Sequence, residues 1–432
     1  MVKNEQGLRI AKLYHVSVDN GSTKQSNKFY FMEEQSDGTT KCLWGRVGET
    51  GKITILKPGE FDSVYKEKIG PRKNYTDQTE LLVETEVISS TPAASGPVKQ
   101  TAIKNSFIKR LFDELMGYAN KSIQTNYKVS QEAVTEAQVN AAQALVDEIS
   151  SEIKLNANIK SINDKLLRLY SIIPRKMRDV HYHLISSVSD KRALETAQKL
   201  IESEQSTLDT MAGQVKLIKQ QREAAKASDG VVTKEPEEVD MLTTMGLKVS
   251  QADQKDIDLV KKMMGPNANQ VRNVYCVINT KTQKVYDSQV KSASNKKTEL
   301  FWHGSRNENW FNIIQTGLLI RPSCAAHCGS MFGDGIYGAN KAQKSIGYTS
   351  LRGSYWSNGS DSKAYLALFD FHVGNQKDIT HHNSDCYTIN KSKLAKEGYD
   401  SVYAHGGADL RNDEFIVYDA NQVTIKYLIE IQ

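Results

Sequence analysis

The sequence is poor in the features that mark specialised chains. None of its 432 residues lie in a run approaching the roughly 18 apolar residues that cross a bilayer, and the N-terminus MVKNEQGLRI has no apolar leader core. No membrane span and no secretion are expected. The five cysteines (Cys42, Cys276, Cys324, Cys328 and Cys386) are an odd number scattered along the chain, which argues against a disulfide framework and for a reducing compartment. Proline (8 residues) and glycine (27) are too sparse for a collagen-like or wholly disordered chain. Charge is nearly balanced, 56 Lys and Arg against 51 Asp and Glu, and the resulting +5 gives only a slight bias toward an anionic partner. At roughly 150 residues per domain, the length predicts about three domains.

Two changes of composition set their boundaries. Residues 88–97 are small and uncharged with two prolines, and residues 226–238 are polar and turn-forming without periodicity, so both read as linkers. The expected domains are 1–87, a linker at 88–100, 101–228 and 238–432. In the first, short runs around Phe31, Leu43 and Ile53–Leu56 alternate with turn signals such as Ser36-Asp37-Gly38, the pattern of a small antiparallel sheet. Residues 1–75 hold 13 Lys and Arg against 9 Asp and Glu, so this stretch carries a local +4. Between the linkers the apolar period becomes 3.6. Ile108, Leu111, Phe112 and Leu115 form one helical face, Val139 to Ile153 a second, and Ile162, Leu166, Leu169 and Ile173 a third that ends at Pro174. A fourth helical pattern runs from 190 to 225, and Ser106 and Thr135 stand where N-caps are expected, which predicts a helical bundle. Beyond 238, a helix over 254–264 gives way to apolar strands at 274–278, 365–369 and 415–418 with long loops. The fold class is therefore multidomain α+β: a small β domain, an all-α bundle and a mixed α/β domain.

The string Lys41-Cys42-Leu43-Trp44-Gly45-Arg46-Val47-Gly48 puts an indole and a guanidinium on one face of a strand, suited to stacking on a sugar or base and pairing with phosphate. A core Trp beside a solvent-facing Arg has the same spacing. Trp44-Gly45-Arg46 with Gly48 and Gly51 also resembles the WGR domain of DNA-dependent poly(ADP-ribose) polymerases. That resemblance implies DNA binding, with Trp44 at a strand end and Arg46 at DNA or at the neighbouring helical domain.

The C-terminal third carries the same resemblance further. Leu300 to Arg306 (LFWHGSR), Met331 to Tyr337 (MFGDGIY), Lys344 to Tyr348 (KSIGY) and Asp413 to Asp419 (DEFIVYD) occur in the order found in the ADP-ribosyltransferase domain of that family. The Leu-Ile-Pro-like end of the third helix resembles the family's helical regulatory domain. Cleaving the nicotinamide glycosidic bond of NAD+ needs no protonation of the leaving group, so the task is to stabilise an oxocarbenium-like ribose beside a carboxylate. The resemblance assigns that carboxylate to Glu414. It also implies that His303 bonds the adenosine ribose, that the Gly304 backbone and Ser345 hold the carboxamide, and that Tyr348 stacks on nicotinamide with Tyr337 beside it. His303, Tyr337 and Glu414 match the family's His-Tyr-Glu triad. Ser305, Lys344 and Arg321 are further NAD+-contacting candidates.

Three positions depart from the family pattern: Asp334 replaces a basic residue, Leu319 stands where relatives carry Arg (with Arg321 nearby), and Asp413 replaces a frequent Asn. Cys324, His327 and Cys328 lack a second ligand pair at zinc spacing, as does His381-His382, so no metal is expected and NAD+ is a substrate. Paired Cys-x-x-Cys elements of zinc fingers are absent from this sequence. The resemblance thus implies a DNA-dependent poly(ADP-ribose) polymerase acting at DNA breaks and ends, with protein acceptors including itself and no membrane partner. It would work in DNA repair in a eukaryotic nucleus, or else in cytoplasm or nucleoid. A mono-ADP-ribosyltransferase or NAD glycohydrolase, and a DNA-binding protein with a degenerate transferase domain, remain alternatives.

Overall fold

The computed structural model describes residues 2–4, 6–18, 24–82, 103–127, 134–155, 158–226, 240–320, 331–357 and 359–432. They form two compact units. Arg321, Cys324, His327 and Cys328 lie outside the described residues, as do the two expected linkers apart from Lys226.

The first unit begins with an antiparallel meander of β1 (Ile10–Val18), β2 (Gln25–Glu34), β3 (Thr40–Arg46) and β4 (Lys52–Leu56), with the two-residue β5 (Thr76–Asp77) added beside β1. Alternation directs Ala11, Leu13, Tyr30, Met32 and Cys42 to one face, where Phe61 of α1 (Phe61–Ile69) completes their core. Trp44 is not a core residue: it is 37% exposed, its Nε1–H donates to Thr54 (3.0 Å), and the Lys52 ammonium lies 5.7 Å from its ring centre.

The helical faces divide between two cores. Helix α2 (Ser106–Tyr127) starts one residue later than its cap, because Asn105 rather than Ser106 accepts from the N–H groups of Phe107 (3.0 Å) and Ile108 (3.3 Å). Its apolar face joins the core of the second unit. Helices α3 (Glu136–Lys154), α4 (Ile159–Ile172) and α5 (Lys191–Lys226) instead bring Val139, Val146, Leu166, Leu169, Ile201 and Leu208 into a core of their own, against which Val16, Val18 and Leu81 also pack. Thr135 and Gln138 cap α3 reciprocally, as its sequence signal predicts.

The segment that follows Pro174 ties the sheet to these helices. Arg46 does not face solvent; its Nη2 donates to the carbonyls of Met177 (3.0 Å) and Arg178 (2.7 Å). Asn27 donates to the Arg175 carbonyl (2.9 Å), and Gln25 accepts from the Val180 N–H. On the other side the Arg175 guanidinium makes two 2.6 Å bonds to Glu204 of α5, both side chains under a tenth exposed. Removing one partner strands a buried charge, so Glu204→Ala should destabilise this unit by about 3–5 kcal/mol. Chemical unfolding monitored by circular dichroism measures this directly.

The second unit is built on two sheets. One has the order β6 (Leu247–Gln251), β7 (Val271–Asn279), β14 (Val423–Ile431), β10 (Ala364–His372), β8 (Thr298–Gly304). The other runs β11 (Gln376–Ile379), β12 (Ser401–Ala404), β13 (Glu414–Val417), β9 (Ile336–Gly338). Strand β10 is apolar almost throughout because it is covered on both sides. Tyr365, Ala367, Phe369 and Phe371 meet α2 and α9 (Asn307–Thr316), while Ala364, Leu366 and Leu368 meet α7 (Gln254–Met264). Short α6 (Met241–Met245) precedes β6, α8 (Thr280–Ser292) follows β7, and α10 (Ala342–Ile346) and α11 (Lys391–Glu397) complete the unit. The sheets meet where Trp302 and Ala339 exchange N–H···O bonds of 2.8 and 3.0 Å, beside the C-terminal end of β8.

Candidate active site

This junction gathers four separated sequence motifs. Strand β8 delivers His303 and Gly304, β9 delivers Tyr337, β13 opens with Glu414, and α10 supplies Lys344 and Ser345. Register accounts for the placement: β13 pairs with β9 through Ile416 and Tyr337, and β8 pairs with β10 through His303 and Ala367.

Glu414 is 7% exposed. One carboxylate oxygen accepts from the Lys344 ammonium, and the other is buried without a hydrogen-bond partner among the described residues. A carboxylate half satisfied in this way is costly unless another group uses it, the situation expected of a functional acid. Lys344, 16% exposed in its side chain, is thereby fixed as the partner of Glu414 from 70 positions away.

His303 Nδ1 lies 3.2 Å from the Tyr337 carbonyl. A carbonyl can only accept, so Nδ1 carries the proton and the neutral ring presents Nε2 as an acceptor. Burial lowers the imidazole pKa below its ordinary 6.5, outweighing the Tyr337 carbonyl, which raises it. The Tyr337 hydroxyl donates to the Gly333 carbonyl (2.8 Å) and accepts from the Phe332 N–H (3.1 Å), which ties the loop before β9 to this wall. Burial pushes its phenol well above the usual range.

Gly304 is required by a neighbour. A Cβ there would stand 1.8 Å from the carbonyl oxygen of buried Ser345. Tyr348 follows α10, and its ring stacks with that of Trp356 (6.0 Å between centres, 18° between planes). Ser305 accepts from Asn309 (3.0 Å) at the start of α9.

The sequence reading did not include the anchorage of Asp413. This carboxylate accepts from Asn340 (2.8 Å), the Gly406 N–H (2.8 Å) and the Tyr403 hydroxyl (3.4 Å), fixing the backbone that presents Glu414. Burial raises its pKa, but these hydrogen bonds and the nearby His405 outweigh that effect and hold it below the ordinary carboxylate value. Asn340 follows β9 in an exposed turn and carried no motif that could have singled it out. Among the described residues no group of three or more His, Cys, Asp or Glu is placed to hold a metal. The His382 Nε2 lies 2.8 Å from the Met331 carbonyl instead. No helix among the described residues is long and apolar enough to cross a membrane.

The junction of the two sheets thus brings half-buried His303 and Tyr337 together with the buried carboxylate of Glu414 on adjoining strands. Residues 250–432 match the poly(ADP-ribose) polymerase catalytic domain. The chain is 33% identical over 178 residues to the putative poly [ADP-ribose] polymerase-like 100L of Invertebrate iridescent virus 6, covering 40% of this chain and 91% of the viral protein. It is 24% identical over 468 residues to poly [ADP-ribose] polymerase 1 of Gallus gallus, across 95% of this chain and 44% of that one. It is 23% identical over 452 residues to the poly [ADP-ribose] polymerase of Drosophila melanogaster, across 90% and 42%. The chain thus spans less than half the length of these two animal proteins. It belongs to the poly(ADP-ribose) polymerase family, and its second unit carries the family's NAD+ ADP-ribosyltransferase domain.

Proposed function

We propose that the chain transfers ADP-ribose from NAD+ to protein acceptors, including itself, in successive units and in response to DNA breaks. The observation that supports this most directly is Glu414, a buried carboxylate with one oxygen on Lys344 and one without a partner, beside His303 and Tyr337. In this reading the unpartnered oxygen accepts from the nicotinamide-ribose 2′-OH and stabilises positive charge as the glycosidic bond breaks. Lys344 holds the carboxylate in place. His303 Nε2 accepts from the adenosine ribose, Gly304 and Ser345 hold the carboxamide, Tyr348 stacks on the cationic ring with Tyr337 beside it, and Ser305 and Arg321 contact the rest of the dinucleotide.

The first domain, whose residues 1–75 carry a local +4, would read DNA as a WGR domain, with Trp44 stacking at an end and Arg46 clamping the segment that leads into α5. DNA would thereby bias the helices of residues 101–228 away from an inhibitory state, coupling two sites through one equilibrium. A nuclear location in a eukaryotic cell and a role in DNA repair follow from the same reading. Labelled NAD+ incubated with and without DNA ends, with products resolved by size, tests the transfer, its product length and its dependence on DNA. Ladders that depend on DNA support it; single units or free ADP-ribose would assign mono-transfer or hydrolysis, in line with Asp334 in place of a basic residue.

The lowered pKa of His303 makes a pH prediction. Because the unfolded ring takes up its proton first, the stability contributed by the neutral ring is complete above pH 6.5 and is lost as pH falls toward the folded value. Protonation also converts Nε2 from acceptor to donor. The KM for NAD+ should therefore stay flat down to pH 6.5 and rise only below it. Steady-state kinetics across pH measures this, and a KM that already climbs above that pH would refute the neutral-acceptor role.

A further inference from the structure

The loop between α10 and β10 sets Tyr355 beside Trp356, the ring that stacks on Tyr348. Trp356 is 55% exposed and Tyr355 77% exposed, the latter edge-on to the indole at 4.7 Å and 89°. Leaving so much aromatic surface in water forgoes burial, yet the loop is built to hold the indole in place. The Trp356 N–H donates to the Gly347 carbonyl (2.9 Å), Ser354 Oγ donates to the Ile346 carbonyl (2.8 Å), and the Asp361 N–H donates to the Ser350 carbonyl (2.9 Å). The indole crosses Gly347, where a Cβ would lie 3.0 Å from Trp356 Cδ1, and stacks on Tyr348.

We propose that Trp356 is a positioning residue for NAD+: stacked on Tyr348 and seated over Gly347, it fixes the orientation of the ring that receives nicotinamide. The inference rests on the reading of Tyr348 as the nicotinamide-stacking residue. The bond-breaking step belongs to Glu414, so loss of Trp356 weakens binding of the nicotinamide end without slowing transfer. Trp356→Ala should raise both the KM for NAD+ and the calorimetric Kd for benzamide, a nicotinamide mimic, by about two- to tenfold, the range a stacked aromatic pair supplies. Turnover at saturating NAD+ stays unchanged, Trp356→Phe restores affinity, and Trp356→Ala has no further effect in a Tyr348→Ala background.

If Tyr348→Ala weakens benzamide binding and Trp356→Ala does not, the positioning role is overturned while the stacking reading stands. If Tyr348→Ala leaves benzamide binding intact, the stacking reading has failed and the proposal falls with it. A Trp356→Ala variant that loses turnover and binding together, without recovery in Trp356→Phe, marks a purely structural residue and also overturns it.

Discussion

Glu414→Gln is expected to lower turnover of NAD+ by on the order of a hundred- to a thousandfold while leaving its KM nearly unchanged. Glutamine keeps the shape and one acceptor oxygen, so placement of the sugar survives. What disappears is the negative charge that opposes the growing positive charge on the ribose, an interaction stronger in the transition state than in the ground state. The melting temperature should hardly fall. The variant weakens the ion pair to Lys344, but it also removes the cost of burying a carboxylate oxygen that has no partner. Single-turnover kinetics beside a thermal melt would separate the two effects. A variant that keeps more than about a tenth of the activity would assign the charge-stabilising role to another group.

Gly304→Ala should be as damaging by a different route. Its methyl group would meet the Ser345 carbonyl oxygen at 1.8 Å and the carbonyl carbon at 2.7 Å. Those are backbone atoms, so relief requires β8 and α10 to separate, which carries His303 away from Lys344 and Ser345. Overpacking of this kind costs about 1–3 kcal/mol or more. A displacement near 1 Å in the site lowers turnover by on the order of a hundredfold. The comparison variant is Gly117→Ala on α2, where no described atom outside the helix's own backbone lies within 4 Å of the added methyl. It should be neutral or slightly stabilising, by up to about 1 kcal/mol. Equal activity of the two variants would show that the close approach at Gly304 relaxes without consequence.

Much of the secondary structure was legible in the sequence because it depends on local period. The 3.6 spacing placed α3 and α4, Thr135 marked a cap, and the apolar run at 365–369 marked a strand, which the structure then buries on both faces. Strand β1 and helix α1 were missed because residues 10–18 and 61–69 mix polar and apolar positions too evenly for one period to stand out, even though turn signals such as Asp19-Asn20-Gly21 and Gly70-Pro71 follow them. The cap of α2 was misplaced by one residue because Asn105 and Ser106 are both good caps and only the backbone direction chooses between them. The face of α2 looked like those of its neighbours, yet it packs on the second unit; periodicity states that a face is buried, not against what.

The sequence by itself determined the order of the motifs, and with it the chemistry: which residue types the chain has for placing a sugar, a ring and a carboxylate. Only the tertiary structure decided how those residues act on one another. Glu414 gained Lys344 from 70 positions away, and Arg46 spent its charge on carbonyls 131 and 132 positions distant instead of in solvent. Gly304 proved to be demanded by Ser345, and Tyr348 acquired the ring of Trp356. Hydrogen bonds, ion pairs and steric contacts depend on distances of a few ångströms between chain segments far apart in sequence, and those distances exist only once the strands have paired and the helices have docked.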